Sequence, residues 1–336
     1  MINVGIVGAT GYTALELIRI LVRHPNVTIV AATSRDDSLP HLGKVHTSLR
    51  DQIDLNCELL DIESFASKVD CAFCCLPHAA SAAIVGKLLD AGVKVIDFSA
   101  DYRLNDATSF ESIYGVTHPD ASRVGNVPYG IPELFRDSIQ TASIVANPGC
   151  FPSSALLPLA PLLKNNLVQT DMVIVDSKTG VSGAGRKANL KFHFPECNES
   201  LTAYGIGTHR HMPEIDQILG RYANSSTQVV FTPHLAPMDR GILSTIYVKN
   251  AASHNTDSLL DCLNDFYRDE PFIRITSDIP TTKGVSGTNF CDITVKSCHD
   301  TTVIISALDN MIKGASGAAV QNFNAMHGIE ETTALL

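Results

Sequence analysis

Cys150 closes the run Asn147-Pro-Gly-Cys150, just after the short apolar segment Ser143 to Ala146 and just before a helical pattern opening with Pro152. Proline suits the first turn of a helix. The spacing therefore predicts a thiol at a helix N-terminus, where unsatisfied N–H groups stabilise a thiolate and can hold a developing oxyanion. A nucleophilic thiol needs an acid or base beside it. The segment Thr208-His-Arg-His-Met-Pro-Glu214 offers His209 and His211, two residues apart and able to share one face of an extended stretch. Three readings of this pair stand open: one histidine serves Cys150, both bind a metal, or both are solvated loop residues. A metal needs a third ligand and none is evident nearby, so no metal is expected.

Two further constellations would handle phosphate. The run Gly8-Ala-Thr-Gly-Tyr-Thr-Ala14 follows the β-type segment Ile2 to Val7 and precedes a helical stripe of Leu15, Leu17, Ile18, Leu21 and Val22. Glycines at such a strand–turn–helix let the backbone turn tightly and approach a pyrophosphate at the helix N-terminus. Gly8, Thr10, Gly11 and Tyr12 are thus candidate cofactor contacts, against the alternative of an ordinary glycine turn. Sites for NAD place an acidic residue at the end of the second strand, to accept from the ribose 2′-hydroxyl. Here that position reads Thr33-Ser34-Arg35, a hydroxyl and a guanidinium suited to a 2′-phosphate, so Ser34 and Arg35 point to NADP. Asp36 and Asp37 follow at once and keep a solvated turn in play. The second constellation is Gly180-Val-Ser-Gly-Ala-Gly-Arg-Lys187, which predicts a mobile, phosphate-sized loop with Gly183 as a further candidate cofactor contact. Its Arg186 and Lys187, with Arg103, could neutralise an anionic substrate, or the arginines could form structural ion pairs.

These residues need elements to hold them. In the first 150 residues, β-type runs at Ile2 to Val7, Val27 to Thr33, Asp70 to Leu76, Val93 to Phe98 and Ser143 to Ala146 alternate with helical patterns, as in a doubly wound parallel sheet. After Cys150 a helix is expected over Pro152 to Leu163. Longer β-type runs follow at Asp171 to Ser177, Gln228 to Thr232, Ile242 to Val248, Phe290 to Lys296 and Thr302 to Ala307. Few helices interleave the last of them, so antiparallel pairing and an α+β second domain are expected. The Ala/Gly-rich stretch Met311 to Asn324 reads as a tail helix of the kind that returns to a first domain. The expected fold is α/β: a Rossmann-type NADP domain of residues 1–147 with 313–336, and an α+β catalytic and oligomerisation domain of residues 148–312. Cys150 would lie at the junction of the two, where clefts form.

Composition narrows the partners. The 336 residues carry a formal charge of −10 with no basic block, a surface that repels nucleic acid and anionic lipid. No apolar run reaches the roughly 18 residues of a membrane-spanning helix, and the N-terminus reads as a strand rather than a signal peptide. Nine cysteines, two of them adjacent, suit a reducing compartment. Cys71, Cys74 and Cys75 fall in a buried-strand pattern and read as packing residues. A small-molecule substrate and a cytoplasmic location are expected.

The segments GATGY, DFSADYRL (97–104), NPGCFPS (147–153), TGVSGAGRKA (179–188), HRHMPEI (209–215) and KGASGAAVQNFN (313–324) occur in an order, and over a length, that resembles the N-acetyl-γ-glutamyl-phosphate reductases of arginine biosynthesis. That family is similar in architecture and thioester chemistry to aspartate-semialdehyde and glyceraldehyde-phosphate dehydrogenases. The resemblance implies NADPH-dependent reduction of an acyl phosphate by a cytoplasmic homodimer or homotetramer. It also implies Cys150 as nucleophile and His209 as its acid/base partner, with His211 and Glu214 close by. Arg103 would lie at the substrate and Gly314 near the cofactor. Ala14 departs from the glycine common there. Rival readings are a cofactor-free Cys–His hydrolase, which leaves the glycine turn and Ser34-Arg35 unexplained, and a nucleotide sensor with an unreactive thiol. Aspartate-semialdehyde dehydrogenase is the rival within the same enzyme class.

Overall fold

The computed structural model describes residues 1–223 and 225–336. They form two compact units, Met1–Pro148 with Ala315–Leu336, and Gly149–Gly314.

In the first unit five strands, β1 (Ile2–Val7), β2 (Val27–Thr33), β3 (Cys71–Cys74), β4 (Lys94–Asp97) and β5 (Ile144–Ala146), pair in the order β2-β1-β3-β4-β5. All four pairings are parallel. β3 and β5 are buried throughout, as their apolar runs require when both faces are covered. The order reverses beside β1, and ligands of such sheets sit outside the carboxyl ends of the strands at that switch point. Helix Tyr12–Leu21 follows β1 directly, and its Ala14 is fully buried. The tail begins with a π-type turn, Ile312–Ser316, before helix Gly317–Met326, so the expected single tail helix is interrupted. The tail helix is held to this unit by Ser316 Oγ donating to the Thr13 carbonyl (2.8 Å) and by His24 Nε2 with Asn324 Oδ1 (2.9 Å).

The second unit is built on seven strands. β6 (Val168–Thr179), β7 (Thr202–Ala203), β8 (Val229–Leu235), β9 (Ile242–Asn250), β10 (Ile273–Ile275), β11 (Cys291–Cys298) and β12 (Thr301–Leu308) pair in the order β10-β11-β12-β9-β6-β8-β7. The pairs β11/β12, β12/β9 and β6/β9 are antiparallel as expected, but β6/β8 and β10/β11 are parallel, so the sheet is mixed. Helix Met212–Ala223 precedes β8 and supplies a crossover on the β6-to-β8 path, which is what parallel pairing needs.

Helix Cys150–Lys164 is buried over Phe151 to Leu163 and packs on β6, β9 and β12. Hydroxyls tie it down, with Ser154 Oγ 2.7 Å from Ser244 Oγ and that atom 2.7 Å from Ser177 Oγ. Pro161 cannot donate to the Leu157 carbonyl one turn back. Tyr267 takes that carbonyl instead, its hydroxyl donating at 2.5 Å.

Candidate active site

Helix Cys150–Lys164 starts two residues earlier than the position of Pro152 suggests. Gly149 is its N-cap in extended conformation (φ −72°, ψ 149°) with no side-chain cap, and Cys150 is its first residue. Proline therefore falls inside the first turn, where a missing N–H costs nothing. Asn147, ahead of the thiol, is 1% exposed. Its Nδ2 donates to the Ala315 carbonyl (3.0 Å), and its Oδ1 accepts from Asn322 Nδ2 (3.0 Å).

The segment from His209 to Glu214 packs on the residues flanking Cys150. Glu214, in the first turn of Met212–Ala223 and 2% exposed, accepts the Gly149 N–H at 2.9 Å. The ring of His211 lies flat against Gly149, since a Cβ built there would stand 2.6 Å from its Nε2. The His209 ring is boxed by Phe151 (5.6 Å between centroids), Phe231 (5.1 Å), His211 (5.0 Å) and Tyr204 (5.6 Å), all edge-on. His209 Nδ1 accepts the backbone N–H of His211 at 3.1 Å. Burial, then the Arg210 cation, lowers the His209 pKa to about 4. Burial raises the Tyr204 phenol above its ordinary value, and the charge of Cys150 adds to the shift, so this hydroxyl shares the thiol's electrostatic surroundings. Among the described residues no group of three or more His, Cys, Asp or Glu could hold a metal ion.

Gly314, expected near a cofactor, lies against Cys150: a Cβ built on it would be 2.8 Å from Cys150 Cβ and 3.3 Å from the Asp309 carbonyl, which accepts the Gly314 N–H at 2.9 Å. Asp309 is fully buried and anchors the π-type turn through Met311 and Ile312 N–H groups. The loop expected to be mobile is pinned at its start. Gly180, Val181 and Ser182 N–H groups donate to the carbonyls of Gly241, Met238 and Asp239, and Asn310 Nδ2 donates to Ser182 Oγ at 3.0 Å. Gly183, Arg186 and Lys187 beyond it are exposed.

Arg103 belongs to the first unit and is 6% exposed. Its Nε donates to the Asn147 carbonyl and its Nη2 to the Phe98 carbonyl, both at 2.8 Å, so it braces the turns after β5 and β4.

The same unit holds a cradle that fits a dinucleotide. Gly8 has φ +85°, and a Cβ there would meet the Cys75 carbonyl at 2.7 Å, so glycine is required on both counts. At Gly11, the N-cap of Tyr12–Leu21, nothing lies within 4 Å of the missing Cβ, and no side chain caps the helix. That leaves space and N–H groups for a pyrophosphate. The end of β2 is bonded to this turn through the Thr33 carbonyl to Ala9 N–H (2.9 Å) and Thr33 Oγ1 to Gly8 N–H (3.3 Å), which brings Ser34 and Arg35 alongside. Asp36 turns away, its carboxylate accepting from Ser38 N–H at 2.9 Å. Thr10 is half-buried, and Tyr12 and Arg35 are exposed.

Comparison with known proteins matches this architecture. Residues 3–142 fit the semialdehyde dehydrogenase NAD binding domain and residues 150–310 the semialdehyde dehydrogenase dimerisation domain. Aspartate semialdehyde dehydrogenase II from Vibrio cholerae superposes with a TM-score of 0.74 at 18% identity, covering 98% of each chain, which shows a shared fold. Among curated proteins, N-acetyl-gamma-glutamyl-phosphate reductase of Rhodopirellula baltica is 50% identical over 100% of this chain and 98% of its own. The reductase of that name from Desulforudis audaxviator is 46% identical over the same shares. The chain belongs to the N-acetyl-gamma-glutamyl-phosphate reductase family.

As a member of that family it has an NAD(P)-binding domain and a dimerisation domain. No helix among the described residues is long and apolar enough to cross a membrane. Of the residues read from sequence, Cys150, His209, His211, Glu214 and Gly314 cluster within the second unit, while Gly8, Thr10, Gly11, Tyr12, Ser34 and Arg35 gather in the first. The sequence reading missed Tyr204, Phe151 and Phe231, which box His209, and Asp309, which sets the turn at Gly314. An aromatic next to a candidate thiol was the one available signal. The others come from segments remote in sequence.

Proposed function

We propose that this protein reduces N-acetyl-L-glutamyl 5-phosphate to N-acetyl-L-glutamate 5-semialdehyde and phosphate, with NADPH, through a thioester on Cys150. The observation that carries the reading is the setting of Cys150, first residue of an uncapped helix in a chain with full-length likeness to reductases of this name. The thiolate attacks the acyl carbon, and the phosphate leaves with the electron pair of the broken C–O bond. The positive end of the helix dipole stabilises the thiolate, while Glu214 holds the Gly149 N–H and fixes the turn that aims the sulfur. NADPH, when bound, supplies the hydride that reduces the thioester carbonyl. His209 we assign as the acid/base group, which protonates the resulting thiohemiacetal oxygen or takes its proton as loss of the sulfur frees the aldehyde and restores the thiolate.

Support for NADP over NAD is the Ser34-Arg35 pair beside the glycine turn, with Asp36 engaged elsewhere. Arg186 and Lys187, on an exposed loop of the thiol-bearing unit, are the cations we assign to the substrate's anionic groups, with Gly183 in the same loop. Arg103 we assign to holding the Asn147 turn. Exposed Val230 and Tyr247 on the outer face of the second sheet support assembly through the dimerisation domain, as a homodimer or homotetramer. Nine cysteines with no disulfide among the described residues suit the cytoplasm.

The test runs the reaction backwards with N-acetyl-L-glutamate 5-semialdehyde, phosphate and NADP⁺, following NADPH absorbance beside a cuvette of aspartate semialdehyde. Phosphate-dependent NADPH formation with the acetylated aldehyde alone is expected, and Cys150→Ser should abolish it while still binding NADPH. A signal from aspartate semialdehyde alone, or near-normal turnover by the serine variant, would overturn the reading.

A further inference from the structure

His46 is 2% exposed and joins two short helical turns that follow β2, Leu42–Val45 and Thr47–Leu49. Its Nε2 stands 2.8 Å from the carbonyl oxygen of Ala9, inside the glycine turn of the first unit. A carbonyl can only accept, so Nε2 carries a proton and His46 is the donor. The backbone that carries this ring is fixed. Leu42 and Leu49 on either side are fully buried, and the His46 N–H donates to the Leu42 carbonyl at 2.8 Å. Arg19, on helix Tyr12–Leu21, donates from Nη2 to Ser48 Oγ at 2.8 Å and ties the same segment to the helix that the glycine turn opens. From these contacts we infer that His46 is a positioning residue for the dinucleotide, holding the Ala9 carbonyl so that the Thr10 N–H faces the pyrophosphate.

The peptide plane supplies the reason. The Ala9 C=O and the Thr10 N–H belong to one planar trans unit and point in opposite directions. Drawing the carbonyl toward His46 therefore turns the N–H away from it. The N–H groups just before are already taken, Gly8 by Thr33 Oγ1 at 3.3 Å and Ala9 by the Thr33 carbonyl at 2.9 Å. Among the described residues no group accepts the Thr10 or the Gly11 N–H. A Cβ on Gly11 would meet nothing within 4 Å. Two successive amide donors beside open space, at the start of a helix, suit an anionic pyrophosphate. Ala9 is fully buried, so without the imidazole its carbonyl would lose a partner where water cannot replace it. The peptide would relieve that cost by rotating, and the Thr10 N–H would swing out of line with it. His46 has this role on the reading that the glycine turn holds the dinucleotide, whichever acyl phosphate is reduced.

The test is a pair of substitutions read by binding rather than by turnover. His46→Leu keeps bulk without a donor and should raise the Kd of NADPH, by fluorescence titration, about tenfold, the order of effect when a buried acceptor loses its partner. Glutamine can place an amide N–H close to the position of Nε2, so His46→Gln should bind NADPH within about threefold of the parent. In His46→Leu the Kd of NADH should rise by the same factor, because the pyrophosphate is common to both dinucleotides. Loss of a 2′-phosphate contact would instead change their ratio. In parallel, 15N-histidine NMR of the parent at pH 7, assigned by difference from His46→Gln, should show a protonated Nε2, a readout that does not require the leucine variant to fold. A leucine variant that binds NADPH within twofold of the parent, a glutamine variant as weak as the leucine one, a loss confined to NADPH, or a bare Nε2 in the parent overturns the inference. A parent that binds neither dinucleotide would overturn the reading of the glycine turn itself, and the role of His46 with it.

Discussion

Replacing Gly314 with alanine tests whether the turn beside Cys150 is built around the absence of a side chain. Gly314 is not among the glycines with positive φ, so its backbone places no demand for glycine. Only space does. The added Cβ would lie 2.8 Å from Cys150 Cβ, whereas two carbons rest at about 3.5–4.0 Å. One of the two backbones must then retreat by roughly 0.7–1.2 Å. Neither Cβ can escape by a rotamer change, because both are fixed to main chain. The Asp309 hydrogen bonds oppose retreat on one side, and the Glu214 contact at Gly149 opposes it on the other. Overpacking of this kind costs about 1–3 kcal/mol, which for a unit of this size lowers Tm by a few degrees. A nucleophile displaced by ~1 Å loses about 100-fold in rate. The assay is kcat in the NADP⁺-linked direction, iodoacetamide labelling of Cys150, and Tm by calorimetry. Gly284→Ala, whose methyl would meet nothing nearer than 3.4 Å, serves as the control. A Gly314→Ala protein with kcat within twofold of the parent and an unchanged Tm would refute the reasoning.

Two other expectations follow from single contacts. Arg35→Glu should weaken NADPH binding by about 10- to 100-fold, the worth of a charge-assisted phosphate contact, and narrow the preference over NADH; fluorescence titrations showing an unchanged ratio would remove Arg35 from the site. Asp97 is fully buried among Ser81, Ser99 and Asp101, and burial raises its pKa from 3.8 to about 6. The folded state therefore holds this proton more tightly than the unfolded chain, so its contribution is fully present below pH 3.8 and is lost as pH rises through about 6. Urea unfolding of parent and Asp97→Asn should accordingly show the parent's relative stability falling from pH 4.5 to pH 7.5. A difference that stays constant would show that Asp97 is not the buried acid.

Much of the fold was legible because its signals are local. The Ile2 to Val7 run is a strand to the residue, and Gly8 marks a turn whose positive φ only glycine adopts without strain. Val27 to Thr33 reads as a strand covered on both faces, but only Ala31 to Thr33 is buried throughout, with Thr28 exposed, because β2 lies at the edge of the sheet. The start of the Cys150 helix was misread because proline is compatible with several first-turn positions, and the N-cap here is a glycine with no side chain to announce it. The parallel β6/β8 and β10/β11 pairings left no mark in sequence, since strand direction is set by the path of the connecting chain rather than by side-chain pattern.

By itself the sequence determined which atoms can do the chemistry: one thiol before a helix, two histidines two residues apart, and glycines where a phosphate must approach backbone. Folding alone decided what those atoms are able to do. Glu214 meets Gly149 across 65 positions, Asp309 sets Gly314 against a cysteine far earlier in the chain, and Phe231 and Tyr204 reach His209 from separate strands or loops. A tautomer, a buried imidazole and a space where a methyl does not fit are properties of surroundings. Residues far apart in sequence create those surroundings, and no local pattern encodes the distances between them.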